Sequence, residues 1–289
     1  MSRVAYVNGQ YVPHAKAQVS IDDRGHVFSD GVYEVILVAG GRMIDEEGHM
    51  VRLERSLREL DMKPPMSSRA LVHVMNQTIR RNRVGDGMVY LQINRGVAPR
   101  NHVYDNEALE PTVVCTAKAV NLPADADTVA GVKVTTEPDI RWGRVDIKTV
   151  SLLPNALAKT RAAREGAYEA WLVDDDGYVT ECSASNAWIV DKEGRVVTRP
   201  LSSDILPGIT RDRVIKLAGE HGIEVVERPF TVAEAKSARE AFLTSTTSFV
   251  KPVVQIDDVT VGNGHPGTVT RTLLGAYLDF VRAVKASVA

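Results

Sequence analysis

Hydrophobic positions along the chain recur at two spacings, and the change from one to the other marks out its elements. Residues 3–7, 32–38 and 88–95 carry the alternating or continuous apolar runs of strands, and 113–119 adds a further one. Between them, residues 49–60 place Leu53, Leu57 and Leu60 at helical spacing, with arginine and glutamate on the other side. Residues 66–82 read as a second helix, with Ser67 and Ser68 as candidate caps. Near the start, Asn8-Gly9 inside an apolar stretch predicts a hairpin.

Residues 121–130 are polar, contain Pro123 and lack periodicity, so they read as a linker. They divide an expected N-terminal domain, residues 1–120, from a C-terminal domain, residues 131–289. The second domain begins with strands at 132–136 and 170–173. Hairpins follow, turning at 174–177 and 191–194, with strands at 178–181, 187–190 and 195–198. Helices are expected after Leu152-Leu153-Pro154, at 210–221 (stopped by Gly222), at 232–238 and at 269–284, with 241–245 as the last inner strand. No internal repeat or low-complexity segment interrupts this order. Strands and helices mixed without strict β-α-β alternation predict an α+β architecture in two domains.

Composition narrows the function class. A chain of 289 residues suffices for two cores, and 44% hydrophobic with 25% charged residues is ordinary for a soluble protein. A net charge of -2 provides no basic face for nucleic acid, and no apolar run approaches the ~18 residues that span a bilayer. No basic-then-apolar leader precedes the first strand. Cys115 and Cys182 lie far apart and read as reduced thiols. His14, His73, His221 and His265 have no metal-site spacing. The expectation is a cytoplasmic protein that binds no metal, nucleic acid or membrane.

Several residues are candidates for chemistry. Lys148 ends a strand-like run just before a helix start. Apolar neighbours strip solvent from a lysine and favour its free amine as nucleophile or base, although a lysine snorkelling from a strand edge has the same pattern. In Leu206-Pro207-Gly208-Ile209-Thr210 a glycine turn delivers Thr210 as a helix cap with free N–H groups beyond it, which suits a phosphate or simply a capped helix. The hydroxyl run 244–248 can donate to phosphate oxygens or satisfy loop backbone. Arg100 and His102, one residue apart on a loop, suit an anion such as a carboxylate. Glu181 at a strand end and Arg52 near a helix start are, taken alone, ordinary charged residues.

The order of these features along the chain is more specific than any one of them. The blocks Asp23-Arg24-Gly25…Asp30-Gly31-Val32-Tyr33-Glu34, Arg95-Gly96…Pro99-Arg100-Asn101-His102, Asp139-Ile140-Arg141-Trp142…Asp146-Ile147-Lys148, Val179-Thr180-Glu181…Ser185-Asn186, Gly208-Ile209-Thr210-Arg211 and Thr244-Ser245-Thr246-Thr247-Ser248 run nearly end to end. In that order and spacing the chain resembles the class IV pyridoxal-phosphate-dependent aminotransferases, most closely their D-amino-acid transaminase branch.

The resemblance implies the two-domain α+β fold of that class (fold type IV), with pyridoxal 5'-phosphate in the cleft between domains. It implies that Lys148 carries the cofactor as a Schiff base and then moves the substrate α-proton. Glu181 would meet the ring nitrogen, and Arg52, Ile209, Thr210 and Thr246 would hold the phosphate. Tyr33, with Arg100 and His102 from the neighbouring subunit, would hold the substrate carboxylate, so the resemblance also implies a homodimer acting on D-amino acids and 2-oxo acids. Two positions depart from the family pattern: Cys182 follows Glu181 where glycine is expected, and Ser29 stands where glycine is common. The rivals on the same scaffold are branched-chain L-amino-acid aminotransferases and aminodeoxychorismate lyases. The Arg100-Asn101-His102 group argues against both, because the L-specific relatives fix the carboxylate elsewhere. An idle cofactor-binding module would need neither Lys148 nor Glu181.

Overall fold

The computed structural model describes residues 3–286; the outermost residues of the two expected domains, 1, 2 and 287–289, lie outside these. The chain divides into two units. One comprises residues up to Leu122, Ile147–Ser151 and residues from Val281 onward; the other comprises Pro123–Asp146 and Leu152–Phe280. The segment with Lys148, expected from sequence within residues 131–289, therefore groups with the first unit.

Among the described residues, the first unit holds a six-stranded antiparallel sheet. In chain order its strands are β1 (Val4–Val7), β2 (Gln10–Pro13), β3 (Gly31–Ala39), β4 (Arg42–Met43), β5 (Gly87–Asn94) and β6 (Thr112–Ala119). Their spatial order is β2-β1-β6-β5-β3-β4. The expected hairpin is present: Asn8 and Gly9 both take positive φ, 43° and 90°, and Val7 pairs with Gln10. In β5 the buried Val89, Leu91 and Ile93 alternate with half-buried Met88, Tyr90 and Gln92, so one sheet face is apolar and the other polar. Helices α2 (Glu46–Glu59) and α3 (Ser68–Arg81) supply Leu53, Leu57, Leu71, Met75 and Ile79 to the core with that apolar face. Ser67 caps α3 through Ala70 N–H at 3.3 Å. A five-residue helix, α1 (Arg24–Phe28), which the hydrophobic pattern does not reveal, precedes β3.

Residues 147–150 extend this sheet from far along the chain. Thr149 bridges Val32 antiparallel, Tyr33 N–H donates to the Lys148 carbonyl at 3.0 Å, and Val150 N–H donates to the Gly31 carbonyl at 3.0 Å. Ile147 joins the core beside it.

The second unit holds a nine-stranded mixed sheet among the described residues. It comprises β7 (Val132–Pro138), β8 (Glu169–Val173), β9 (Val179–Cys182), β10 (Asn186–Val190), β11 (Val196–Thr198), β12 (Val225–Glu227), β13 (Glu240–Ser245), β14 (Phe249–Ile256) and β15 (Val259–Thr260). The spatial order is β12-β11-β10-β13-β14-β7-β8-β9, with β15 beside β14. The parallel pair β7 and β8 needs a crossover, which α4 (Leu153–Arg164) provides. Helices α5 (Ile209–Glu220) and α6 (Val232–Lys236) follow, and α7 (Thr268–Ala286) belongs to this unit up to Phe280.

Two sequence readings change here. Residues 241–245 are not the last inner strand, because β14 lies between β13 and β7. Pro252 argues against an inner strand there, yet it sits one residue before the β7 pairing begins at Val253, where a missing N–H takes nothing from that ladder. Thr210 is not the cap of α5. Gly208 is, in extended conformation, and Thr210 lies in the first turn.

Candidate active site

The nine residues singled out by sequence fall into two groups, one in each unit. In the first, the backbone of Lys148 is fixed by the β3 pairing and by donation of its N–H to Ser56 Oγ at 3.3 Å. Its Nζ lies 4.3 Å from the centre of the Tyr33 ring, a cation–π distance. Tyr33 faces Gln92 across the sheet on the polar face, and its ring lies 5.7 Å from that of Tyr90.

Arg52, on α2, is buried and forks onto Glu34, with Nε to Oε1 at 2.8 Å and Nη2 to Oε2 at 2.7 Å. His49 Nδ1 joins Glu34 Oε2 at 2.7 Å. Burial alone would raise the Glu34 pKa, but the Arg52 charge, with hydrogen bonds from Arg52 and His49, brings it down to about 2. Burial lowers the pKa of His49, favouring its neutral ring.

Arg100 and His102 occupy the irregular, exposed stretch between β5 and β6. Both rest on Phe28: the Arg100 guanidinium lies 5.5 Å from the ring centre, and the His102 ring lies 5.3 Å away. Two donors one residue apart thus share one aromatic platform, an arrangement whose chemistry suits an anion such as a carboxylate.

In the second unit Glu181, on β9, is buried with both oxygens engaged. Oε1 accepts from Arg141 Nη1, while Oε2 accepts from Asn186 Nδ2 at 3.0 Å and from Leu206 N–H at 3.1 Å. Arg141 is itself held by Asp139 through a fork at 2.9 and 2.7 Å. Burial dominates and lifts the Glu181 pKa to about 7, although the Arg141 charge and the Leu206 N–H pull the other way. Cys182, next in the strand, takes ordinary extended backbone and is buried in the core, so this position makes no demand for glycine.

Asn186 links this carboxylate to the start of α5. Its Oδ1 occupies the space where a Cβ on Gly208 would lie, 2.1 Å from the ideal position. Gly208 therefore lets Asn186 approach, and it brings no side chain to cap the helix. The first-turn N–H groups of Ile209 and Thr210 sit at the positive end of the helix dipole, and the Thr210 side chain is buried beside them. Thr246 is half-buried in the turn between β13 and β14, two residues beyond Thr244, which pairs with Asn186. Glu181, Asn186, Gly208 and the first turn of α5 thus form a connected set.

Arg141, Asn186, Asp139, Glu34 and His49 had no assigned role in the sequence reading. All but His49 stood inside the matching blocks, but only their hydrogen bonds show what they do.

Known proteins resemble this chain over nearly its whole length. The family model described as amino-transferase class IV matches residues 31–256. A D-alanine aminotransferase of Staphylococcus haemolyticus is 36% identical over 278 residues, covering 96% of this chain and 98% of that one. A D-alanine aminotransferase of Bacillus licheniformis is 38% identical over 274 residues, covering 95% of each. Among solved structures, the branched-chain amino acid aminotransferase of Thermobaculum terrenum in its PLP form superposes at a TM-score of 0.84 and 25% identity, covering 98% of this chain and 94% of that one. With a family match through both units and relatives alike over nearly their full length, this chain belongs to the class IV aminotransferases.

Proposed function

We propose that this protein is a pyridoxal-phosphate-dependent D-amino-acid transaminase. It exchanges an amino group between D-amino acids of the D-alanine and D-glutamate class and 2-oxo acids such as 2-oxoglutarate or pyruvate. It works as a homodimer in the cytoplasm.

The residues suit the cofactor chemically. The uncapped first turn of α5, with Ile209, Thr210 and the Thr246 hydroxyl, offers donors for a phosphate, and Arg52 adds a guanidinium whose orientation Glu34 fixes. Glu181 offers a buried carboxylate to a protonated ring nitrogen, which would draw its pKa back down. Lys148 supplies the amine that would hold the cofactor covalently. When bound, pyridoxal phosphate supplies a sink for the electron pair left on the substrate α-carbon.

The chain's own residues do the rest. Lys148 Nζ takes the α-proton and returns it, with the Tyr33 ring 4.3 Å away. Arg100 and His102 grip the carboxylate, with the Tyr33 hydroxyl as a further donor, and so decide which enantiomer turns its α-hydrogen toward Lys148.

The observation that carries the D-specific reading is the pair Arg100 and His102 side by side on Phe28. The branched-chain L-amino-acid reading draws on solved structures of similar fold, and that fold serves either substrate class. Supplying the protein with D-alanine, L-alanine or L-leucine together with 2-oxoglutarate, and measuring pyruvate from the alanines and glutamate from all three, separates the two. Pyruvate from D-alanine alone is expected; turnover of L-alanine or L-leucine in its place overturns the proposal.

A further inference from the structure

The stretch carrying Arg100 and His102 has no strand or helix of its own; side chains from elsewhere fasten it. Arg24, in the first turn of α1, is buried at 4% exposure. Its Nε donates to Asp30 Oδ2 at 2.8 Å, its Nη1 to the Asn101 carbonyl at 2.6 Å and its Nη2 to the His102 carbonyl at 3.4 Å. The same guanidinium lies over two rings, 4.7 Å from the centre of Phe28 and 5.0 Å from that of Tyr104. Arg95 donates to the same Asp30 oxygen at 2.8 Å and lies 3.8 Å from the Tyr104 ring centre.

Three of the contacts that Arg24 makes bear on the geometry of the two exposed donors. It holds the carbonyls of the two peptides that flank the His102 Cα, and it packs on the ring against which both Arg100 and His102 rest. A guanidinium does this because its donors lie in one plane, leaving both faces for aromatic contact. A lysine ammonium is a point charge, and it cannot meet a carboxylate, two carbonyls and two rings together.

We propose that Arg24 is a positioning residue for substrate: it sets the spacing of Arg100 and His102 and thereby the grip on the substrate carboxylate. This rests on the reading of Arg100 and His102 as the carboxylate-holding pair.

The test uses the cofactor-loaded protein and stopped-flow half-reactions with D-alanine, which give an apparent Kd and a limiting rate for each variant. Arg24→Lys keeps the charge and removes the fork. It should weaken apparent D-alanine binding roughly tenfold, the size of one charge-assisted hydrogen bond, with a limiting rate within about threefold of the parent. The absorbance spectrum of the bound cofactor should be unchanged. Arg100→Ala should weaken binding by itself, and adding Arg24→Lys to it should weaken binding clearly less than about tenfold more, because only His102 is then left to position.

Should Arg24→Lys fail to fold, Phe28→Leu removes the shared ring while keeping the arginine, and it should likewise weaken binding several-fold. Arg24→Lys and Phe28→Leu both binding D-alanine like the parent, with Arg100→Ala impaired, overturns the positioning role alone. So do effects of Arg24→Lys and Arg100→Ala that multiply in full. If Arg100→Ala binds D-alanine normally, the reading of the carboxylate pair falls, and this proposal with it.

Discussion

Arg52 reaches Glu34 from the second turn of α2 through two parallel hydrogen bonds, Nε to Oε1 at 2.8 Å and Nη2 to Oε2 at 2.7 Å. Both side chains are buried, so neither charge is solvated without the other. Glu34→Gln leaves a buried guanidinium without its counter-charge and should cost about 3–5 kcal/mol in denaturant unfolding of the cofactor-free protein. The pH dependence has a definite sign. Glu34 is held at about 2 against an ordinary 4.5, so its contribution is complete above about 4.5 and is lost as pH falls toward 2. Acid unfolding of the parent should therefore be steeper in that window than that of Glu34→Gln. Superimposable acid transitions would contradict this account.

Lys148 is predicted to be the amine that carries pyridoxal phosphate. Borohydride reduction of the loaded protein should fix the label on the peptide containing Lys148, and Lys148→Ala should bind the cofactor without that label and lose nearly all turnover. Label on Lys159 instead would defeat the assignment. A dimer whose carboxylate pair comes from the neighbouring subunit makes a second measurement possible. Inactive Lys148→Ala chains mixed with impaired Arg100→Ala chains should gain activity after subunit exchange, because one site of each mixed dimer then has both residues. No recovery after demonstrated exchange would place the carboxylate pair within a single chain.

Glu181 gives a pH dependence of the opposite sense. Burial raises its pKa to about 7 from an ordinary 4.5, so the folded cofactor-free protein takes up the proton more readily than the unfolded chain. Its contribution is complete below about 4.5 and is lost as pH rises through 7. Relative to the parent, Glu181→Gln should be more stable at pH 8 than at pH 5, as measured by denaturant midpoints. In the loaded protein the same variant should slow exchange of the D-alanine α-hydrogen more than it weakens cofactor binding. Parent-like exchange would remove Glu181 from the reaction.

Ser29 ends α1 in the left-handed conformation, with φ 56° and ψ 31°. A side chain there costs roughly 1–2 kcal/mol, and glycine returns part of the gain through the greater freedom of the unfolded chain. Ser29→Gly should therefore stabilise the protein by about 0.5–1 kcal/mol, read as a higher denaturant midpoint with an unchanged slope. A lower midpoint would mean that the serine side chain contributes more than its backbone strain costs.

Local spacing was enough to read much of the fold. Alternation in β5 and the Leu53, Leu57 repeat of α2 are legible because one face of each element is buried in the same core. The Asn8-Gly9 turn is legible because positive φ is written in residue type. The α+β architecture and the class IV family follow from such features and from the order of the six blocks.

Other features depend on groups far apart in the chain. Lys148 docks on β3 through partners more than a hundred residues earlier in sequence, although its neighbours in sequence suggest membership of the later domain. Gly208 rather than Thr210 begins α5, because Asn186 fills the space a side chain at Gly208 would need. Arg24 and Arg141 look like any other arginine until Asn101, His102 and Glu181 are brought to their guanidinium groups. A hydrophobic period records which face is buried. It carries no record of which polar group a buried charge will meet, since that partner is chosen by the packing of distant segments.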